Sequence, residues 1–407
     1  MVLLKLIFAL ASVADALRVI QADIWKPDNG TLLAKRQEDP FSALLTQAPD
    51  KSLYWINITM GTPGQPQSLQ LDTGSRQLWV PATGSSLCSD TAVDCSGLGS
   101  FDKSKSSTFS DTGQSQTIGF LDGDSVTGNW FYDTVHVGGE AITSQLAVLA
   151  TTGTGATEGV LGIGFPASYP TINHNMAAQD LIASNSYSLW LDSLDSSTGT
   201  ILFGGLNTAK FSGTLKKIPV LGTGDGSSTF NDPIVELTRV ATLNGNTRTV
   251  QTASGFSQQA YLDSGTPLTI LQKPLADIIM AVMGASYYPA GSTNGNTIIP
   301  CSQANSALSI NYHFSNTVTG PTINVPISEL VLQTLGSLNG VQMCQFGIYV
   351  SENNAFPTIM GDTFLRSAYV VYNLDKNRIG LAQTVFNSGP ANILEIGPAG
   401  IPVGVVV

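Results

Sequence analysis

Residues Leu53 to Met60, LYWINITM, alternate in the manner of a half-buried strand, and the turn-rich GTPGQPQ leads from them into Leu69 to Val80, LQLDTGSRQLWV. From there to about residue 385, short apolar runs are broken by Gly, Asn, Asp and Ser, the pattern of an all-β fold. Helical spacing is confined to a stretch around Ala177 to Ala183 and to Pro274 to Met283, where Pro274 suits a first helical turn. At the N-terminus, Lys5 precedes the apolar run Leu6 to Ala14, followed by the small residues Ala14 and Ala16 flanking Asp15. That order predicts a cleaved signal peptide over residues 1–16, and the run is too short to span a bilayer. The tail from Phe386 is punctuated by Pro and Gly and is expected to be loosely ordered over 386–407. It holds no long apolar run, so no stable membrane anchor is expected.

The strand-like run at Leu69 is interrupted by Asp72-Thr73-Gly74-Ser75, although Asp and Gly are poor strand formers. The interruption recurs in AYLDSGTPLTIL as Asp263-Ser264-Gly265-Thr266, again after Leu and again before an apolar run. A third Asp-Thr-Gly, in FSDTGQSQ, has polar neighbours on both sides and reads as an ordinary turn. Each framed motif is followed later by two apolar residues and a glycine, in GVLGIG and in TIMGDTF. The chain therefore reads as a duplicated β lobe, joined somewhere near Gly213 to Gly222.

A carboxylate between apolar residues is partly desolvated, which disfavours its charged form. Two such carboxyls brought together cannot both ionise cheaply and share one proton. They can hold a water between them, one taking its proton while the other donates to a carbonyl oxygen. That chemistry hydrolyses an amide without a covalent intermediate, metal or cofactor. Gly74 and Gly265 let the backbone approach closely and offer N–H donors, and the hydroxyls of Thr73, Ser75, Ser264 and Thr266 can orient the carboxyls and tie the loops together.

At 407 residues the chain can form two domains or one large one. Charged residues make up only 12%, which with abundant Ser, Thr and Gly suits a β-rich protein with hydroxyl-covered outer faces. The formal net charge of −11 argues against a nucleic-acid partner. Only 18 Lys and Arg and three His remain charged in acid, so charge repulsion at low pH is modest. Lys35-Arg36, in a polar segment, matches a dibasic processing site of the secretory pathway and defines a short propeptide over 17–36, with Gln37 as the mature start and secretion as the destination. Cys88, Cys95, Cys301 and Cys344 lack the spacing of a zinc site; in an exported chain they imply two disulfides, with three possible connectivities.

With these motifs the chain resembles a pepsin-like aspartic protease of the secreted fungal type, from about Tyr54 to Ala382. The resemblance implies a mostly β, bilobal fold with a cleft between lobes at 37–215 and 216–385, acting as a monomeric endopeptidase on protein or peptide substrates, at acidic pH. It places the catalytic aspartates at Asp72 and Asp263, the hydroxyls bracing the loops at Thr73 and Ser264, and those bonding the outer carboxylate oxygens at Ser75 and Thr266. It implies the pairings Cys88–Cys95 and Cys301–Cys344. The strands crossing beside each catalytic loop fall in EGVLGIG and in FPTIMGDTFLRSAYVVYNLDKNRIGLA. A substrate-covering hairpin, or flap, falls in FLDGDSVTGNWFYDTVHVGG, with Phe120, Asp122 and Gly123 at its turn. Phe120 stands where the family has a tyrosine whose hydroxyl reaches the indole of the tryptophan after the first motif, here Trp79; a one-residue shift would put Leu121 there. Pro267 stands where the family has Ser or Thr, and the propeptide, whose basic residue would normally cover the dyad, is short.

Blander readings compete. Both motifs could be plain turns, although two matches in apolar frames are rare by chance. Trp79 reads first as a core residue; His136, His174 and His313 are isolated and read as surface or packing residues. Asn57, in NIT, is a glycosylation acceptor by pattern, within a candidate strand. Arg76 either tunes acid strength or specificity, or is simply solvated. The alternative functions are a pepsin-fold binding protein that no longer cleaves and a carboxylate-pair glycosidase; the first generally loses a catalytic Asp, and the second leaves the duplicated Gly-hydroxyl frame unexplained.

Overall fold

The computed structural model describes residues 17–26, 53–89, 95, 97–121, 123–154, 159–166, 168–222, 230, 232–288, 295–315, 317–402 and 404–407. The expected signal peptide, Lys35-Arg36 and the expected mature start Gln37 lie outside them. Within them the chain is mostly strand and folds as two β lobes of pepsin-like type.

Among the described residues the first strands are β1 (Ile20–Trp25), β2 (Trp55–Met60), β3 (Gln65–Asp72), β4 (Leu78–Pro81), β5 (Ser110–Gly119), β6 (Ser125–Val137), β7 (Glu140–Thr154) and β8 (Val160–Gly162). In β3 the period of two is plain: Gln67, Leu69 and Leu71 are buried while the residues between are half-buried. β8 runs parallel to β3, placing Leu71 beside Leu161 and Asp72 beside Gly162, and antiparallel to β4, placing Trp79 beside Val160. The C-terminal lobe repeats this. Thr358–Met360 runs parallel to Gln258–Leu262 and antiparallel to Thr269–Gln272, with Leu262 beside Met360. The duplication read from the sequence is thus a duplicated strand crossing beneath each Asp motif.

Glycine makes the crossings possible by leaving room for backbone. A Cβ on Gly162 would lie 2.7 Å from the backbone N and O of Gln77, and one on Gly361 would lie 2.3 Å from the carbonyl oxygens of Thr266 and Leu268. Both are closer than real Cβ contacts allow.

One 13-stranded sheet joins the lobes, running from Phe211–Pro219 through Arg378–Thr384, Ala368–Asn373, Ser186–Trp190 and Thr198–Phe203 to β1 and on through the N-terminal strands to β5. The expected join near Gly213 therefore falls in a paired strand of this shared sheet. β1 comes from the segment expected as a propeptide. It pairs along its whole length with Thr198–Phe203 and at Ile24 and Trp25 with β2, burying Ile20, Ala22 and Ile24.

Two expectations need correction. The helix expected around Ala177 to Ala183 spans Ile172–Ala178 instead, because Ile172, Asn173 and Met176 form its buried face and Asp180 turns left-handed (φ 57°) beyond it. The second helix, Lys273–Met283, carries Pro274 in its first turn and ends at Gly284, whose φ of 78° is left-handed. The tail is docked, not loose: Ile393–Glu395 pairs with Gly205–Asn207, Val407 exchanges backbone bonds with Gly213, and Ile396 and Ile401 are buried. Apolar anchors every few residues hold it despite its Pro and Gly. Among the described residues, no helix is long and apolar enough to cross a membrane. Both expected disulfides, Cys88–Cys95 and Cys301–Cys344, are formed.

Candidate active site

The two Asp motifs sit at the ends of β3 and of Gln258–Leu262, where each chain leaves its strand over the crossing strand. Backbone bonds fix the exits: Ile163 N–H donates to Asp72 O at 2.9 Å and Gly164 N–H to Ser75 O at 2.7 Å, while in the other lobe Asp263 N–H donates to Met360 O at 3.2 Å and Asp362 N–H to Thr266 O at 2.9 Å.

Between the lobes the bonding is reciprocal. Thr73 N–H donates to Ser264 Oγ at 3.2 Å, and Ser264 N–H donates to Thr73 Oγ1 at 3.0 Å. Each hydroxyl then donates across the interface, Thr73 Oγ1 to Leu262 O at 2.9 Å and Ser264 Oγ to Leu71 O at 2.8 Å. Both residues are fully buried, so every polar atom in this lattice needs its partner. Gln70 Nε2 adds a bond to Gly265 O at 3.0 Å, and Tyr372 donates its hydroxyl to Leu262 O at 3.2 Å.

The lattice brings the carboxyls face to face with the opposite glycine. A Cβ on Gly74 would lie 2.5 Å from Asp263 Oδ1, and one on Gly265 would lie 2.5 Å from Asp72 Oδ1. Asp72 Oδ1 accepts from the N–H of Gly74 at 2.8 Å and of Ser75 at 3.0 Å. Asp263 Oδ1 accepts from Gly265 N–H at 2.8 Å, and its Oδ2 accepts from Thr266 Oγ1 at 2.7 Å. Thr266 thus bonds an outer carboxylate oxygen as the resemblance implied. Ser75 acts on Asp72 through its backbone N–H and through its hydroxyl, which lies beside the carboxyl and favours its ionised form. Burial pushes the Asp72 carboxyl up to about 7, and the neighbouring Asp263 adds to the rise. The proton belongs to the pair rather than to one residue.

The flap expectation falls on the β5–β6 hairpin. Its turn is closed by Phe120 N–H to Asp124 O at 2.9 Å and Gly123 N–H to Phe120 O at 3.1 Å. Phe120 is half-buried, its ring centroid 6.5 Å from that of Trp79, whereas Leu121 is 64% exposed. Phe120 is therefore the residue turned toward Trp79. Trp79 is buried, and its indole N–H has no hydrogen-bond partner among the described residues. Asp122 lies outside the described residues.

Several surrounding residues were not singled out from the sequence. Asp362, in TIMGDTF, is fully buried, and burial pushes its carboxyl well above the usual range. Arg366 is fully buried too and pairs with Glu329 at 2.7 Å. Charges inside otherwise apolar runs were the available signal. Arg76 is paired, not free: its guanidinium meets Asp232 at 3.2 Å. His313 is buried and bonded to Thr322 and Thr317, a packing role, while His174 is exposed on its helix. Asn57 lies in β2, with its amide oxygen accepting from Trp25 Nε1 at 3.1 Å and Ser68 Oγ at 2.8 Å.

Two β lobes that each deliver one aspartate, on mirrored loops cross-tied by hydroxyls, define the class of two-aspartate proteases. The comparisons agree: residues 53–384 match the family described as eukaryotic aspartyl protease, and the chain belongs to that family. It is 38% identical to the probable aspartic-type endopeptidase opsB of Aspergillus fumigatus, over 86% of this chain and 73% of that one. It is 35% identical to secreted aspartic protease 8 of Candida albicans, over 85% and 79%, and 34% identical to candidapepsin of Candida tropicalis, over 90% and 87%.

Proposed function

We propose that this chain is a secreted aspartic endopeptidase that cleaves peptide bonds with a water activated by Asp72 and Asp263. The observation that carries the reading is the reciprocal Thr73–Ser264 lattice, which holds each motif's glycine against the opposite carboxyl. The pair binds one proton. Its ionised member takes a proton from the water as the oxygen attacks the peptide carbon, and its protonated member donates to the carbonyl oxygen. A tetrahedral diol forms and collapses with proton transfer to the leaving nitrogen. Burial of Asp72 supports a proton held into mildly acidic pH, and so an acidic working range. The N-terminal apolar run and Lys35-Arg36 support export and processing of a short propeptide over 17–36, with the mature chain acting as a monomer.

A peptide pool incubated across pH 3 to 7, with and without a statine-type inhibitor, tests this. Inhibitor-sensitive cleavage in acid is expected, and Asp72→Asn and Asp263→Asn should each abolish it with the fold intact. Substantial cleavage by folded Asp263→Asn would sink the mechanism.

A further inference from the structure

Arg76 directly follows the first motif, and its backbone is held by the crossing strand, since a Cβ on Gly162 would touch Arg76 C at 2.8 Å and Gly162 N–H bonds Gln77 O at 3.0 Å. From there the guanidinium reaches into the other lobe, Nη2 to Asp232 Oδ1 at 3.2 Å, with both side chains 24% exposed. Asp232 sits just before the strand Ile234–Asn244, which pairs antiparallel with Gln258–Leu262 and sets Ile234 opposite Tyr261. Extending that register by two places sets Asp232 opposite Asp263. The bond from Leu262 N–H to Pro233 O, at 3.1 Å, carries the pairing in that direction.

We propose that the Arg76–Asp232 ion pair is an interlobe clasp beside the catalytic aspartates that positions their loops and sets the proton affinity of the dyad. The proposal rests on the two-aspartate reading of the site. Neither residue touches the reacting atoms, so both are positioning residues. Together their charges nearly cancel at the dyad; alone, each acts with opposite sign. An uncompensated Arg76 favours ionised carboxyls, and an uncompensated Asp232 opposite Asp263 disfavours them.

The other groups packed here do not imitate this effect. Asp232 faces Arg76, Asp263 and Tyr261, and Arg76 also faces Tyr169. Behind the dyad lie Asp362, Tyr187 and Tyr372, and burial pushes each of them up, so all three stay neutral in acid. Burial also pushes the Asp232 carboxyl up, against Arg76, while Asp263 adds to the rise. The clasp is thus closed while Asp232 is ionised and opens when it is protonated in acid.

The test is the pH profile of kcat/KM on a neutral fluorogenic peptide for the wild type, Arg76→Gln, Asp232→Asn and the double variant. Asp232→Asn should move the upper limb toward acid, by about half to one pH unit, and leave in place the acid limb, where Asp232 is already protonated; Arg76→Gln should move both limbs the other way by a similar amount. At the upper limb the double variant should return near the wild type, and Arg76→Lys, which keeps the charge, should leave both limbs in place. Carbon-13 NMR titration of labelled aspartates in the same proteins reads the dyad without turnover. It therefore stands even if the wild type cleaves nothing, a result that would instead overturn the protease reading. Single variants that shift together, or leave both limbs and the NMR titration unmoved, would overturn the clasp; the lysine variant and the double variant carry the test if Arg76→Gln does not fold.

Discussion

At the scale of single residues, the site turns on atoms that are missing. Trp79 buries an indole N–H beside a phenylalanine ring, with no acceptor among the described residues. One neutral hydrogen bond is typically worth about 0.5–1.5 kcal/mol. Phe120→Tyr, placing a hydroxyl near that N–H, should therefore raise kcat/KM toward peptides severalfold by ordering the hairpin; Leu121→Tyr, on an exposed position, should change little. Steady-state kinetics of the two variants check this, and a gain from Leu121→Tyr alone would reverse the assignment. The missing Cβ atoms matter as much. Gly265→Ala would put a methyl 2.5 Å from Asp72 Oδ1, so the loops must part. Overpacking of this kind costs about 1–3 kcal/mol, and because it falls on the dyad, activity should drop far more than melting temperature. The need for Gly and hydroxyl neighbours was legible in the sequence. The partner of Arg76 was not, because it depends on what the fold brings alongside.

At the scale of elements, the strand crossings decide where each aspartate points, and the period of two along β3 made that strand readable. β1 was the surprise. Its alternating pattern is as clear as that of β2, but the dibasic pair after it drew the segment into the propeptide. Ile24 is fully buried, so Ile24→Ala should destabilise the full-length chain by about 2–5 kcal/mol. Chemical unfolding of the full-length chain and of protein cleaved after Arg36 measures this. An effect in both would mean that the strand stays in the sheet after processing, and an effect only in the full-length chain that it leaves.

At the scale of the whole molecule, placing two carboxyls between lobes ties stability to pH. Asp72 is raised by burial to about 7 from its ordinary value of 3.8. A raised carboxyl leaves folding unpenalised below its unfolded value, and stability is lost as pH rises toward the folded value. The loss should be on the order of a few kcal/mol between about pH 4 and 7, shared by the pair. Melting temperature should therefore fall across that range in the wild type and fall less in Asp72→Asn, whose site cannot ionise. Parallel curves would contradict the buried pair. The low content of bases keeps opposing charge repulsion small in acid.

The sequence by itself determined the class of fold, the two aspartates with their glycines and hydroxyls, and the duplication, because alternation, turn residues and apolar framing are local signals. The tertiary structure decided what depends on distant segments meeting. It set Asp72 against Gly265 and Thr73 against Ser264, joined Arg76 to Asp232, and placed the Phe120 ring beside Trp79. It drew β1 and the C-terminal tail into paired strands, because a strand's stability lies in hydrogen bonds and burial supplied by partners far along the chain.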